Sequence, residues 1–211
     1  ITSISWFLKK VSRYETYFSE FYPQSEKIKD YEALEHHMHA YLEDIETLKN
    51  KLKNYIGSLK NDLKKIAVNP KVIEKILDGL ITQVDKVFEN ASKHRGDHRH
   101  KGYKFVDSNI TDAEMAENML SESNPLRGQL TKAGIDSLTK QRSESFEEGK
   151  KFWIDTARKN FPQIEGTTNE ILEKTKILGE EEIDGKKYPK KNLDAIVAFV
   201  IALLVVAATK I

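Results

Sequence analysis

Apolar residues recur along residues 31–66 in alternating steps of three and four: Tyr31, Leu34, Met38, Tyr41, Ile45, Leu48, Leu52, Tyr55, Leu59 and Ile66, with one lapse at Asp62. That spacing predicts one long helix with a heptad seam. Leu42, Ile56 and Leu63 widen the stripe on one flank, so the helix is expected to touch two neighbours and to sit in a bundle. Its length, about 54 Å at 1.5 Å per residue, asks for comparably long partners from the same chain.

The same periodicity places the other elements. Phe7, Val11, Tyr14, Phe18 and Phe21 form an aromatic-rich face over residues 3–22, which Pro23 ends, and Ser25 is placed to cap the next helix. Asn69 and Pro70 read as a cap and first residue for a helix carrying Ile73, Leu77, Leu80, Ile81, Val84, Val87 and Phe88, expected to return antiparallel against the long one. Thr111 and Glu114 suggest a capping box for a short helix with Met115, Met119 and Leu120 facing inward. Between Leu126 and Phe161 the spacing is helical, but Gly134, Gly149 and the apolar gap at 141–145 predict a kink or break. Thr167 and Glu170 predict a further helix start, with Gly179 as its stop. The fold class expected is all-α: an antiparallel bundle of five or six helices over residues 1–179, organised around residues 31–66. A polar charged spacer, 180–194, and a hydrophobic tail, 195–211, follow it.

Two stretches break the pattern. From 93 to 109 the apolar period disappears and the chain reads Lys93, His94, Arg95, Gly96, Asp97, His98, Arg99, His100, Lys101, Gly102, Tyr103, Lys104. It is expected to be the longest internal loop. Five Lys or Arg against one Asp, with three histidines, suit a polyanion such as a sulfated or sialylated glycan or an anionic lipid head. The candidates are Lys93, His94, Arg95, His98, Arg99, His100, Lys101 and Lys104; the plain alternative is a solvated loop. Arg95-Gly96-Asp97 also spells an integrin-recognition tripeptide, a match short enough to arise by accident. The second stretch, 195–208, contains no polar residue at all.

As a helix, the 14 to 17 residues of this tail cover about 21 to 26 Å, short of the roughly 30 Å hydrocarbon core. A glycosylphosphatidylinositol attachment signal fits the length better, with Asp184 and Gly185 as the candidate site and residues 186–194 as spacer, although Lys186 is larger than such a site favours. Lys186, Lys187, Lys190 and Lys191 equally suit a C-terminal anchor with the body facing the cytosol. The sequons at Asn90 and Asn109 would be glycosylated only on the secretory side.

Composition narrows the chemistry. A net charge of +1 over 211 residues argues against a dedicated nucleic-acid binder. The absence of cysteine excludes disulfides, thiolate metal sites and a cysteine nucleophile. No phosphate-cradling glycine loop, nucleophile elbow or His-Glu-x-x-His motif occurs, and no enzyme activity or cofactor is expected. His36 and His39 share a helix face and could hold a metal only with a third ligand; an exposed cluster beside Glu35 and Glu43 is the simpler reading.

The helical pattern, the spacer and residues 195–211 together resemble the glycolipid-anchored, all-helical surface antigens of protozoan parasites, including the piroplasms of red blood cells. The resemblance implies an exposed, non-enzymatic, membrane-tethered protein at the cell surface, a monomer or weak oligomer, meeting host-cell glycans or a receptor. Two other classes stay open: a helical pore-forming protein whose apolar segment inserts later, and a cytosolic tail-anchored scaffold.

Overall fold

The computed structural model describes residues 1–20, 25, 27–66, 70–100, 107–177, 181–183 and 186–188. The chain is helical, as expected. Its helices are α1 (Thr2–Val11), α2 (Tyr14–Glu20), α3 (Asp30–Ile66), α4 (Pro70–His100), α5 (Ser108–Leu120) and α6 (Lys132–Ile177), with a 3-10 turn at Arg127–Gln129. Beyond α6, three-residue strands β1 (Glu181–Ile183) and β2 (Lys186–Tyr188) pair antiparallel, Glu181 opposite Tyr188.

Helix α3 spans 37 residues within one position of the expected bounds. Its start is fixed by Glu32, whose carboxylate accepts a 2.8 Å bond from the Lys29 N–H one turn back. Ser25 does not cap it; its hydroxyl accepts from the Lys27 N–H and closes a preceding turn. Met38, Leu48, Leu52 and Ile56 are wholly buried, each worth about 1.5–3 kcal/mol of apolar transfer. The widened flank at Leu42, Ile56 and Leu63 is buried as well, because α3 meets α1, α2, α4, α5 and α6. Asp62, the lapse in the seam, is exposed and pairs with Lys65.

Helix α4 runs antiparallel to α3. The direction is written in their shared ion pairs: Lys49 and Lys53 meet Asp85, Lys60 meets Asp78 and Glu74, and Lys64 meets Glu74. Hydrogen bonding from Lys60 holds Glu74, and from Lys53 holds Asp85, below the usual carboxylate range. Such exposed pairs fix register more than they add stability. The expected loop from 93 is corrected here, because α4 stays helical to His100. Lys, Arg and His keep a helix going without an apolar stripe, and Gly96 alone costs only about 1 kcal/mol.

The N-terminal aromatic face is divided between two helices. At the break, the Ser12 hydroxyl donates to the Lys9 carbonyl and the Arg13 N–H to the Lys10 carbonyl. The break lets α1 lie on α3 while α2 turns to α6. Ile4, Val11, Tyr14 and Phe18 are buried across both helices.

Helix α6 is corrected in the opposite sense. It continues for 46 residues through Gly134, Gly149, Pro162 and the Thr167 position where a new start was expected. Gly149 is not a break but a point of close approach. A Cβ there would lie 3.3 Å from the Asn109 Cβ and 3.4 Å from the Ile110 side chain, both on α5. The small residues Ala113 and Ala116 turn inward on α5 for the same reason, while Met115, expected inside, is 61% exposed. Helix α5 also begins earlier than the Thr111 box implied. Asp107 is its cap, accepting from the Asn109 and Ile110 N–H groups.

These two glycine environments predict substitutions of opposite sign. Gly149→Val forces α5 away from α6 and should cost about 1–3 kcal/mol. Gly166→Ala, with nothing within 4 Å of the added Cβ, should gain about 0.5–1 kcal/mol of helix stability. Urea unfolding followed by circular dichroism measures both; a neutral Gly149→Val would contradict the close packing of α5 on α6.

Candidate functional site

The residues singled out by sequence fall into three groups. Lys93, His94, Arg95, His98, Arg99 and His100 lie on the helical backbone of α4, whereas Lys101 and Lys104 lie outside the described residues. Arg95, Gly96 and Asp97 are helical too, so the loop setting expected for that tripeptide is replaced by a helix. Of the sequons, Asn90 is in α4, and Asn109 is half-buried in the first turn of α5, with the Thr111 hydroxyl donating to the Asp107 carbonyl. Asp184 and Gly185 lie outside the described residues, as do residues 189–211 and with them the whole hydrophobic tail.

The histidines of α3 point to separate partners. His39 pairs with Glu35 at 3.5 Å, and His37 stacks on Tyr17 with ring centroids 5.7 Å apart and planes 20° from parallel. His36 is exposed. Among the described residues no group of three or more His, Asp or Glu gathers in metal-binding geometry. Tyr17 and His37 also line a shallow recess with Phe18, Leu34, Phe146 and Lys150.

The most tightly built polar group was not foreseen. Asp44, 6% exposed, accepts a 2.8 Å bond from the Lys10 ammonium and a short hydrogen bond from the Tyr14 hydroxyl. Burial, and then the bond to Asp44, raise the Tyr14 pKa far above its ordinary value. Tyr14 is therefore a fixed donor at any physiological pH, not a nucleophile or base. Around it Tyr14, Phe18, Tyr41 and Trp153 meet with centroids 5.2 to 6.3 Å apart, mostly tilted or edge-on, as ring quadrupoles favour. Trp153 is wholly buried and its indole N–H donates at 3.0 Å to the second carboxylate oxygen of Asp107, the α5 cap. Arg142 of α6 spans to Asp30 of α3 and Glu117 of α5 at 2.6 and 3.0 Å. The sequence did carry a signal for Asp44. It stands three residues after Tyr41 and four before Leu48, an acid on the apolar stripe, which needs a buried partner.

Among the described residues, these polar contacts join helices. Among the described residues no helix is long and apolar enough to cross a membrane. Comparison with protein-family models, with curated proteins and with solved structures finds no match to this chain.

Histidine 37 gives the group a predictable pH response. Burial, with the neighbouring His36 adding to it, holds His37 below its ordinary value of 6.5. The unfolded chain then binds that proton more readily than the folded one. The stability contributed by the neutral ring is complete above about pH 6.5 and is lost as the pH falls below it. The melting temperature should decline between about pH 7 and pH 5, and His37→Gln should flatten that decline. An identical pH profile in the variant would show that His37 does not couple protonation to folding.

Proposed function

We propose that the chain is a non-enzymatic, membrane-tethered surface protein, whose helical body over residues 1–179 acts as one bundle built around α3 and makes contact with polyanions. The observation that carries this reading is the change of composition at Ala195. A charged spacer holding Lys186, Lys187, Lys190 and Lys191 gives way to 14 residues without a polar side chain, ended by Thr209 and Lys210. Such a run is apolar on every face of a helix and needs either lipid or the centre of a fold. The core of α1 to α6 is already filled by its own side chains, among them Met38, Leu52, Val84, Phe88 and Trp153. At about 21 Å the run is shorter than a comfortable span, which favours exchange for a glycolipid, with Asp184 and Gly185 as the attachment candidates.

The polyanion contact rests on the cations from Lys93 to Lys104, carried partly on α4. Its strength should rise at acidic pH, as His94, His98 and His100 gain charge. Tethering at a cell surface and an attraction to sulfated or sialylated glycans belong together: the first holds the body outside, the second gives it something to meet.

Processing in a eukaryotic cell, with a secretory signal supplied, tests the tether. The mature surface protein should lack the peptide containing Phe199 and Leu203 by mass spectrometry, and phosphatidylinositol-specific phospholipase C should release it. Retention of that peptide with resistance to the phospholipase would replace the lipid anchor by a true span. Free secretion of the intact chain would overturn tethering altogether.

A further inference from the structure

Helix α1 carries a surface that the other described residues leave open. Its apolar face is spent on the core: Ile4 and Val11 are buried, and Phe7 and Leu8 pack against the same cluster. Trp6 stands on the other side, 57% exposed, the largest side chain in the described residues left so open. Its position is nevertheless held. Phe7 meets it edge-on at 4.7 Å, and the Lys10 ammonium lies 5.5 Å from the ring centroid, itself fixed by the ion pair to Asp44.

The charged residues of α1 and of the turn after it have one sign. Lys9 follows Trp6 at three positions on one face of α1, and Arg13 lies in the turn between α1 and α2. Both are exposed, and neither makes an ion pair with a described residue. Lys51 of α3 lies 5.3 Å over the Phe7 ring beside them. No acidic residue occurs between positions 1 and 14. Asp44, the carboxylate that reaches this group, is buried and already bonded by Lys10 and Tyr14.

We propose that α1 and the turn after it present a binding site for an acidic saccharide, with a pyranose ring stacked on the Trp6 indole and its sulfate or carboxylate groups paired with Lys9 and Arg13. The C–H face of a sugar carries the weak positive polarity that the negative face of an indole attracts. Lys9, one turn further along α1, and Arg13, in the turn after it, supply charge in a stretch that has no acidic residue of its own. A membrane interface is the less suitable occupant. An interfacial helix needs a whole apolar face to bury, and α1 offers a single ring once its other apolar side chains are in the core. The site is built from none of the Lys93–Lys104 cations and from no residue of the tether.

Titration of the full chain in detergent with a heparin hexasaccharide, read by intrinsic fluorescence and by calorimetry at several salt concentrations, tests the site. Trp153 is wholly buried, so the saccharide-dependent fluorescence change should come from Trp6 and vanish in Trp6→Ala. That variant keeps every charge, yet its affinity should fall about five- to ten-fold. Lys9→Gln with Arg13→Gln should weaken binding further and lower its salt dependence. Substituting Arg95, Arg99, Lys101 and Lys104 by Gln should leave the Trp6-dependent change in place, which separates this site from the basic run. Unaltered circular dichroism checks that each variant is folded. Equal affinity of Trp6→Ala and the parent chain would overturn the proposal. So would Trp6-dependent binding to phosphatidylserine vesicles without any to the hexasaccharide.

Discussion

The fold depends on burial of α3 on more than one side at once. A helix with a single narrow seam could pair with one partner and stop; α3 buries Leu42, Ile56 and Leu63 beside its seam and so must be enclosed. The enclosure is supplied by unlike elements. Helix α4 lies along it in register through a ladder of lysines and carboxylates, while α1 and α6 cover the other side with aromatic side chains. Large buried residues on α3 and their partners on five other helices form one cluster, so the loss of any one partner exposes apolar surface on the axis itself.

Within that cluster, direction is set by polar bonds of unusual placement. Hydrophobic burial alone would let the aromatic face of α1 and α2 slide along α3. Asp44 prevents this, because an enclosed carboxylate is tolerated only where Lys10 and Tyr14 reach it. Asp107 does the same for α5, using one carboxylate oxygen to cap the helix and the other to accept from Trp153 of α6. Both acids therefore trade a solvation cost for a single allowed arrangement. Lys9 of α1 and Arg13 in the turn after it stay exposed, with no ion pair to a described residue.

Much of the architecture was legible because α3 keeps its period for 37 residues, and no other pattern imitates that. The errors share one cause, namely that apolar spacing reports burial and not helicity. Helix α4 loses its apolar stripe after Phe88 but its backbone stays helical to His100, where spacing alone predicts a loop. Gly149 weakens a helix by propensity, yet in the fold it admits α5, and that close approach in turn selects Ala113 and Ala116 over Met115 as inward residues. The break at Ser12 was invisible, since the aromatic period runs straight through it while the packing partner changes from α3 to α6. Of the candidate site residues, sequence gave the cationic run and the tail by composition alone. It did not give the Lys10, Tyr14 and Asp44 group, whose members are 34 and 30 residues apart and meet only in the fold.

Native-state hydrogen exchange tests the central claim, that an enclosed α3 is the element on which the others depend. Amides of α3 between Met38 and Ile56 should exchange only through global unfolding, so that their protection equals the total stability measured by urea and falls by the same amount in Leu52→Ala, about 2–5 kcal/mol. Amides of α5 and of α4 beyond Phe88 should open earlier, through local events that leave α3 protected. Exchange of α3 amides ahead of those of α5 would contradict the account.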